Sequence, residues 1–163
     1  MELTKLRTGI GYDVHSLIPG NNIVIGGVKI AHYKSIKAHS DGDVLTHSII
    51  DGILGAAGLG DIGTHFPDSD ENYKNISSIL LLKEIYKKIK NTNFKIINID
   101  TIIIAEAPKF KYYITEMKKN ICSAIELQSE VLNIKATTTE KQDSFGRENA
   151  IGAQSIILGY YDD

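Results

Sequence analysis

Asp13 and His15 stand two residues apart in Arg7 to His15, a stretch that reads as a β-strand, so both side chains leave one face and can converge on a single ion. Such a pair is incidental in most proteins. His47 strengthens it: it follows Ser40-Asp41-Gly42-Asp43 and lies one helical turn beyond Asp43, on the same helix face. One carboxylate and two neutral imidazoles suit Zn²⁺, and three protein ligands leave a fourth position for a substrate oxygen, as in catalytic rather than structural zinc sites. The plainer reading of His47 is a hydrogen-bonded histidine at the core's edge. Asp41 and Asp43 read as helix caps that also suit the helix dipole, and for Asp41 that reading is preferred. Asp51, a further turn along, either orients an imidazole or faces water.

A second group lies late in the chain. Thr137, Thr138 and Thr139 precede Glu140 at an expected strand end, where hydroxyls and backbone N–H groups can hold phosphate oxygens. Judged locally, β-propensity explains a threonine run better, because no glycine cradle accompanies it. Glu140 is either a ligand for a harder cation such as Mg²⁺ or an ordinary surface carboxylate. In Ala105-Glu106-Ala107-Pro108-Lys109, Pro108 and Lys109 either frame a nucleotide or merely stop a strand and meet water.

These residues need elements to carry them. Asn22 to Ile30, broken by Gly26-Gly27, reads as a hairpin. Val44, His47, Ile50, Ile53 and Leu54 recur at helical spacing within Asp43 to Ala57, and Gly58 and Gly60 can end that helix. The polar stretch from Asp61 to Tyr73 reads as a loop and candidate lid. Asn75 is the expected cap of a second helix to about Lys90, with a stripe of Ile76, Ile79, Leu80, the Lys83 stem and Tyr86. Phe94 to Ala105 is apolar on both faces in its last part and is expected to be a central strand. Phe110, Ile114, Met117, Ile121 and Ile125 give a third helix. Asn133 to Thr139 and Ala150 to Tyr161 give two more strands around a polar turn, Gln142 to Asn149. The expected class is α+β (mixed α/β): a single domain over 1–163, residues 1–6 being a short extension, with a mixed sheet and helices packed on one face.

Composition narrows the function. The chain has 163 residues, 42% hydrophobic and 23% charged, with formal net charge -2. No basic excess suits a nucleic-acid backbone, and no apolar run approaches the ~20 residues of a membrane span. Cys122 is the only cysteine, so no intramolecular disulfide forms and a cytoplasmic location is expected.

Read in order, Gly11-Tyr12-Asp13-Val14-His15, Ile25-Gly26-Gly27-Val28, Ala38-His39-Ser40-Asp41-Gly42-Asp43-Val44, Leu59-Gly60-Asp61-Ile62-Gly63, His65-Phe66-Pro67-Asp68, Ala107-Pro108-Lys109 and Lys135-Ala136-Thr137-Thr138-Thr139-Glu140-Lys141 resemble the cyclodiphosphate synthase family of the non-mevalonate isoprenoid pathway, from about Arg7 to the C-terminus. The resemblance implies that Asp13, His15 and His47 are zinc ligands and that Glu140 holds Mg²⁺ or Mn²⁺ between phosphates. It also implies that Ala105, Pro108, Lys109, Ala136, Thr137 and Thr138 surround a cytidine diphosphate, and that His39, Ser40, Asp61, Gly63, Phe66 and Asp68 lie near a methylerythritol phosphate. The family is a homotrimer with active sites between subunits. Its relatives hold an isoprenoid diphosphate in a central cavity near the equivalent of Arg147. Here the Gln142 to Arg147 turn and Asn149 depart from the usual pattern, and Gly52 replaces a usual alanine at ~1 kcal/mol of helix propensity. The reaction implied is attack of the substrate's own phosphate on the β-phosphorus of its cytidine diphosphate group, expelling cytidine monophosphate. A zinc phosphohydrolase and a non-catalytic trimeric binding homologue are the rival classes.

Overall fold

A computed structural model describes residues 3–67, 69–73 and 76–162. The expectations for Asp68 and Asn75 fall outside them. The chain runs β1 (Leu6–Pro19), β2 (Asn22–Ile25), β3 (Val28–Ala31), β4 (Lys34–Lys37), α1 (Val44–Ala56), α2 (Ile62–His65), α3 (Ser78–Lys90), β5 (Phe94–Ile104), α4 (Ile114–Ala124), β6 (Leu132–Thr137), α5 (Asp143–Gly146) and β7 (Ala150–Tyr161), with single 3₁₀ turns between several of them. Leu6 pairs with Tyr160, so β1 begins inside the expected extension.

The sheet order is β4-β1-β7-β5-β6, mixed because β5 and β6 are parallel while the other pairs are antiparallel. The middle strand is therefore β7, and β5, expected to be central, is an interior strand between β7 and β6. The apolar second face of β5 is real: Ile102 and Ile104 are half-buried beside β6 and β7 on the side away from α1, where Phe145 of α5 packs over Gly152, the β7 partner of Ile104. β2 and β3 form a separate hairpin whose turn places Gly26 and Gly27 at φ 59° and 68°, the left-handed region glycine enters at no steric cost.

On one face of the sheet, α1 is buried almost all round: Val44, Leu45, Ile49, Ile50, Ile53 and Leu54 are inaccessible to solvent. A helix apolar on all sides is a core element. It docks on β1 because Gly9 and Gly11 have no side chains: a Cβ at Gly9 would lie 2.0 Å from the Gly52 carbonyl oxygen, and one at Gly11 would lie 1.9 Å from that of Ser48. Gly52 belongs to the same contact. An alanine methyl there would sit 2.8 Å from Ile157 Cγ1, so helix propensity alone does not set its cost.

The second helix starts at Ser78, and its buried face is Ser78, Leu81, Leu82, Ile85 and Ile89 rather than the stripe through Leu80 and Lys83, both of which are exposed. Leu80-Leu81-Leu82 fits two phases of the period, and the contact with α1 selects one.

The opposite face of the sheet carries Ile10, Tyr12 and Ile156 at 62%, 56% and 51% exposure. Among the described residues, no helix is long and apolar enough to cross a membrane.

Candidate active site

Positions 9, 11, 13 and 15 of β1 share the face toward α1. The two glycines let the helix come close, and the next two positions, Asp13 and His15, then meet its first turn. His47 Nδ1 and His15 Nε2 each lie 3.1 Å from Asp13 Oδ2. The three ligand atoms are all within 4.8 Å of one another, with His47 buried and the other two half-buried. Ser40 Oγ is 3.4 Å from His47 Nε2, the ring nitrogen turned away from Asp13, so a cation at Nδ1 leaves an Nε2–H donor facing the Ser40 oxygen.

Burial alone would raise the Asp13 pKa, but hydrogen bonds and charge from His15 and His47 hold the carboxyl well below the usual range. Burial works against a proton on His47, yet Asp13 and the charges of Asp43 and Asp41 carry that imidazole above its ordinary value. The metal-free cluster thus stabilises positive charge where the donor set fits a zinc ion.

Asp41 and Asp43 are caps. Asp43, fully buried, accepts from Gly26 N–H and Thr46 N–H on one oxygen, and from Gly27 N–H, Thr46 Oγ1 and Ser78 Oγ on the other. It joins the hairpin, α1 and α3 at one point. Asp41 accepts from Asp43 N–H and from Ser78 N–H at the start of α3; burial raises its pKa above the ordinary carboxylate value. Asp51 is half-exposed at the cleft, and its carboxylate has a further task that neither expected reading included: it accepts from Ile62 N–H at 3.0 Å and pins the start of α2. Asp61 caps α2 through the Thr64 N–H and hydroxyl, both at 2.8 Å.

The triad opens into a cleft of about 450 Å³ lined in part by His39, Ser40, Asp51, Gly63, Phe66 and Tyr73. Its outer wall includes Phe66 and Tyr73 from the stretch expected to be a loop, in which α2 instead forms one helical turn capped by Asp61. Phe66 and Tyr73 meet edge to face at 5.1 Å, while His65 bonds to the Leu59 carbonyl and to Lys88 Nζ at 2.9 Å each. Among the described residues, His39 Nε2 is buried without a hydrogen-bond partner, a polar atom left for a ligand of the cleft.

The second group gathers elsewhere. Ala105 and Pro108 follow β5, Thr137 ends β6, and the parallel pairing brings them together through the Ala105 N–H bond to the Thr137 carbonyl at 3.1 Å. Thr138 Oγ1 donates to Glu140 at 3.0 Å, and Lys109, Thr138 and Arg147 are exposed. Along one row of the sheet, Asp13 pairs with Ala153, Ala153 with Ile103, and Ile103 with Ala136. Three strand spacings separate the halves by about 14 Å, and the cleft lining includes none of the second group. Sequence reasoning missed Glu106, whose carboxylate accepts from Thr139 N–H and Lys141 N–H; a carboxylate in an Ala-Glu-Ala-Pro turn gives no sign of such partners.

Comparisons with known proteins agree with this geometry. The profile of the YgbB family matches residues 6–160. The 2-C-methyl-D-erythritol 2,4-cyclodiphosphate synthase of Clostridium botulinum (strain Okra / Type B1) is 54% identical over 153 residues, covering 94% of this chain and 99% of the relative. Its namesake from Fusobacterium nucleatum is 48% identical over 94% of this chain and 96% of the relative. Among solved structures, the IspF–CDP complex of Plasmodium falciparum superposes with TM-score 0.85 at 33% identity, covering 99% of this chain and all of the other. The bifunctional IspDF of Campylobacter jejuni gives 0.92 at 43% identity over 98% of this chain, which spans only 43% of that longer protein.

Proposed function

The chain belongs to the YgbB family, and on that premise we infer its reaction: it converts 4-diphosphocytidyl-2-C-methyl-D-erythritol 2-phosphate to 2-C-methyl-D-erythritol 2,4-cyclodiphosphate and cytidine monophosphate, a step of isoprenoid biosynthesis. An oxygen of the substrate's 2-phosphate attacks the β-phosphorus, and the bond from that phosphorus to the oxygen of the departing monophosphate breaks. The nucleophile is already anionic, so no strong protein base is needed. The protein's tasks are to fold the substrate until its ends meet in line and to oppose phosphate charge.

The convergence of Asp13, His15 and His47 at the head of the cleft is the observation that carries this reading. These three would hold Zn²⁺, and Glu140 would hold Mg²⁺ or Mn²⁺. When bound, the cations supply Lewis-acid neutralisation of phosphate oxygens. His39, Ser40, Gly63 and Phe66 line the cleft that receives the methylerythritol phosphate, and Phe66 packs on Tyr73 to keep water out; Asp61 and Asp68 are assigned to the same phosphate by the family resemblance. Ala105, Pro108, Lys109, Ala136, Thr137 and Thr138 receive the cytidine diphosphate.

Since these halves lie about 14 Å apart along the sheet of one chain, a neighbouring subunit supplies the missing half, and the assembly is a homotrimer. The exposed apolar face of Ile10, Tyr12 and Ile156 supports such packing. Exposed Arg147 is the cation offered to an isoprenoid diphosphate in the trimer's central cavity. A cytoplasmic location, with Cys122 a free thiol, completes the proposal.

Phosphorus NMR of purified protein incubated with the substrate and a divalent cation tests the chemistry. Cyclic diphosphate plus cytidine monophosphate is expected; a linear bisphosphate product would show a hydrolase, and no turnover would leave only a binding homologue. Mixing inactive His47→Ala and Glu140→Ala chains tests the assembly, because sites shared between subunits regain part of the activity.

A further inference from the structure

We infer that Glu106 is a positioning residue of the nucleotide half-site, fixing the threonine turn in the shape that presents Thr138 and Glu140 to a diphosphate and its cation. Its Oε1 accepts from Thr139 N–H at 3.0 Å and from Lys141 N–H at 3.2 Å. Those donors flank Glu140 on both sides, so one carboxylate oxygen clamps the backbone around the proposed cation ligand.

The clamp has something to hold. Glu140 and Lys141 have φ of 52° and 62°, a left-handed conformation that residues with a Cβ keep only when their surroundings impose it. Other polar groups of the turn are engaged: Thr139 Oγ1 donates to the Gln142 carbonyl at 2.8 Å, and Asp143 Oδ1 accepts from Phe145 N–H at 2.8 Å. Glu106 also stands between Ala105, whose N–H reaches the Thr137 carbonyl, and Pro108. It therefore ties the loop after β5 to the loop after β6, the two walls between which the nucleotide lies. Released from it, the turn loses the partner of two backbone donors, and Thr138 and Glu140 lose their shared orientation.

This assignment rests on the reaction proposed above. Wild-type, Glu106→Ala, Glu106→Asp and Glu106→Gln proteins, each zinc-loaded and supplied with Mg²⁺, are compared by CDP calorimetry, zinc content, thermal midpoint, KM, kcat and Mg²⁺ requirement. Glu106→Gln keeps an oxygen that accepts both N–H groups and stays within about twofold of wild type. Glu106→Asp keeps the charge but falls a methylene short. It and Glu106→Ala bind CDP about tenfold more weakly, with raised KM and Mg²⁺ requirement and full zinc occupancy. The assignment is overturned if Glu106→Ala matches wild type, if Glu106→Gln is as impaired as Glu106→Ala, or if zinc content and thermal midpoint fall in step with CDP binding. A wild-type protein that binds no CDP and forms no cyclic product removes the reaction itself, and this role with it, a failure visible before any variant is made.

Discussion

Replacing Gly11 with alanine strikes the contact on which the metal site is built. The new methyl would lie 1.9 Å from the Ser48 carbonyl oxygen and 2.7 Å from the Gly52 nitrogen, short of ordinary van der Waals contact by about 1.5 Å at the first of these. Both obstacles are helix backbone, so no side chain can rotate away; α1 must lift from β1. Forced repacking of this kind costs typically 1–3 kcal/mol, here toward the upper end, and about 3 kcal/mol lowers the thermal midpoint of a chain this size by roughly 6–12 °C. Ser48 directly follows His47, and metal ligands tolerate displacements of only about 0.2 Å. Zinc affinity should therefore fall roughly 100-fold, read by titration against a competing chelator. Gly9→Ala provides the control: its methyl would meet the Gly52 oxygen at 2.0 Å, a similar clash one turn farther from the ligands. It should lose comparable stability and less zinc affinity. A Gly11→Ala protein with the wild-type midpoint and zinc affinity would refute the claim that these glycines set the ligand geometry.

Asp43→Ala strands buried donors from the hairpin, α1 and α3 together and should cost about 3–5 kcal/mol in urea unfolding. His47→Ala should abolish stoichiometric zinc and cyclisation while near-native circular dichroism persists. Gly52→Ala gains ~1 kcal/mol of helix propensity but meets Ile157 Cγ1 at 2.8 Å, so urea unfolding should show net destabilisation of about 1 kcal/mol. Zinc must displace the proton that the metal-free cluster favours on His47, whose pKa stands above its ordinary 6.5; affinity should be full above that raised value and fall about tenfold per unit below it. Metal-free stability should behave differently: the Asp13 contribution is present above its ordinary 3.8 and lost as pH falls through its depressed value, whereas the His47 contribution is present below 6.5 and lost as pH rises through its raised one. Chemical unfolding across pH should place this cluster's greatest contribution between the two ordinary values.

Strand and helix periods made parts of the triad legible, with Asp13 and His15 two apart on one face and His47 one turn from the Asp43 cap, while the family resemblance was what joined His47 to the strand pair. Less legible was anything that tertiary packing decides. Three consecutive leucines, Leu80 to Leu82, leave the phase of α3 undetermined until α1 lies against it. β4 is only four residues, with Ile36 its one large apolar side chain, and it forms because β1 extends to Pro19 and offers it an edge. The two-faced apolarity of β5 correctly signalled a strand with little contact to water, yet that property does not distinguish the middle of a sheet from a place beside it.

The carboxylates around the cleft show the same limit at the level of chemistry. Asp43 faces backbone and hydroxyl donors from three elements, Asp41 the N–H groups of Asp43 and Ser78, Asp51 that of Ile62, and Asp61 the Thr64 N–H and hydroxyl. A carboxylate so engaged is committed to holding the chain, since withdrawing it to bind a cation would leave those donors unpaired. The hydrogen-bond partners of Asp13 Oδ2 are the nitrogens of His15 and His47, groups that ligate a cation along with it instead of competing for it. Among these acids, residue type and spacing set Asp13 beside His15 and read Asp41 and Asp43 as caps, but leave Asp51 between two roles. Their partners, brought together from distant parts of the chain, separate the acid available to a metal from those that build its surroundings.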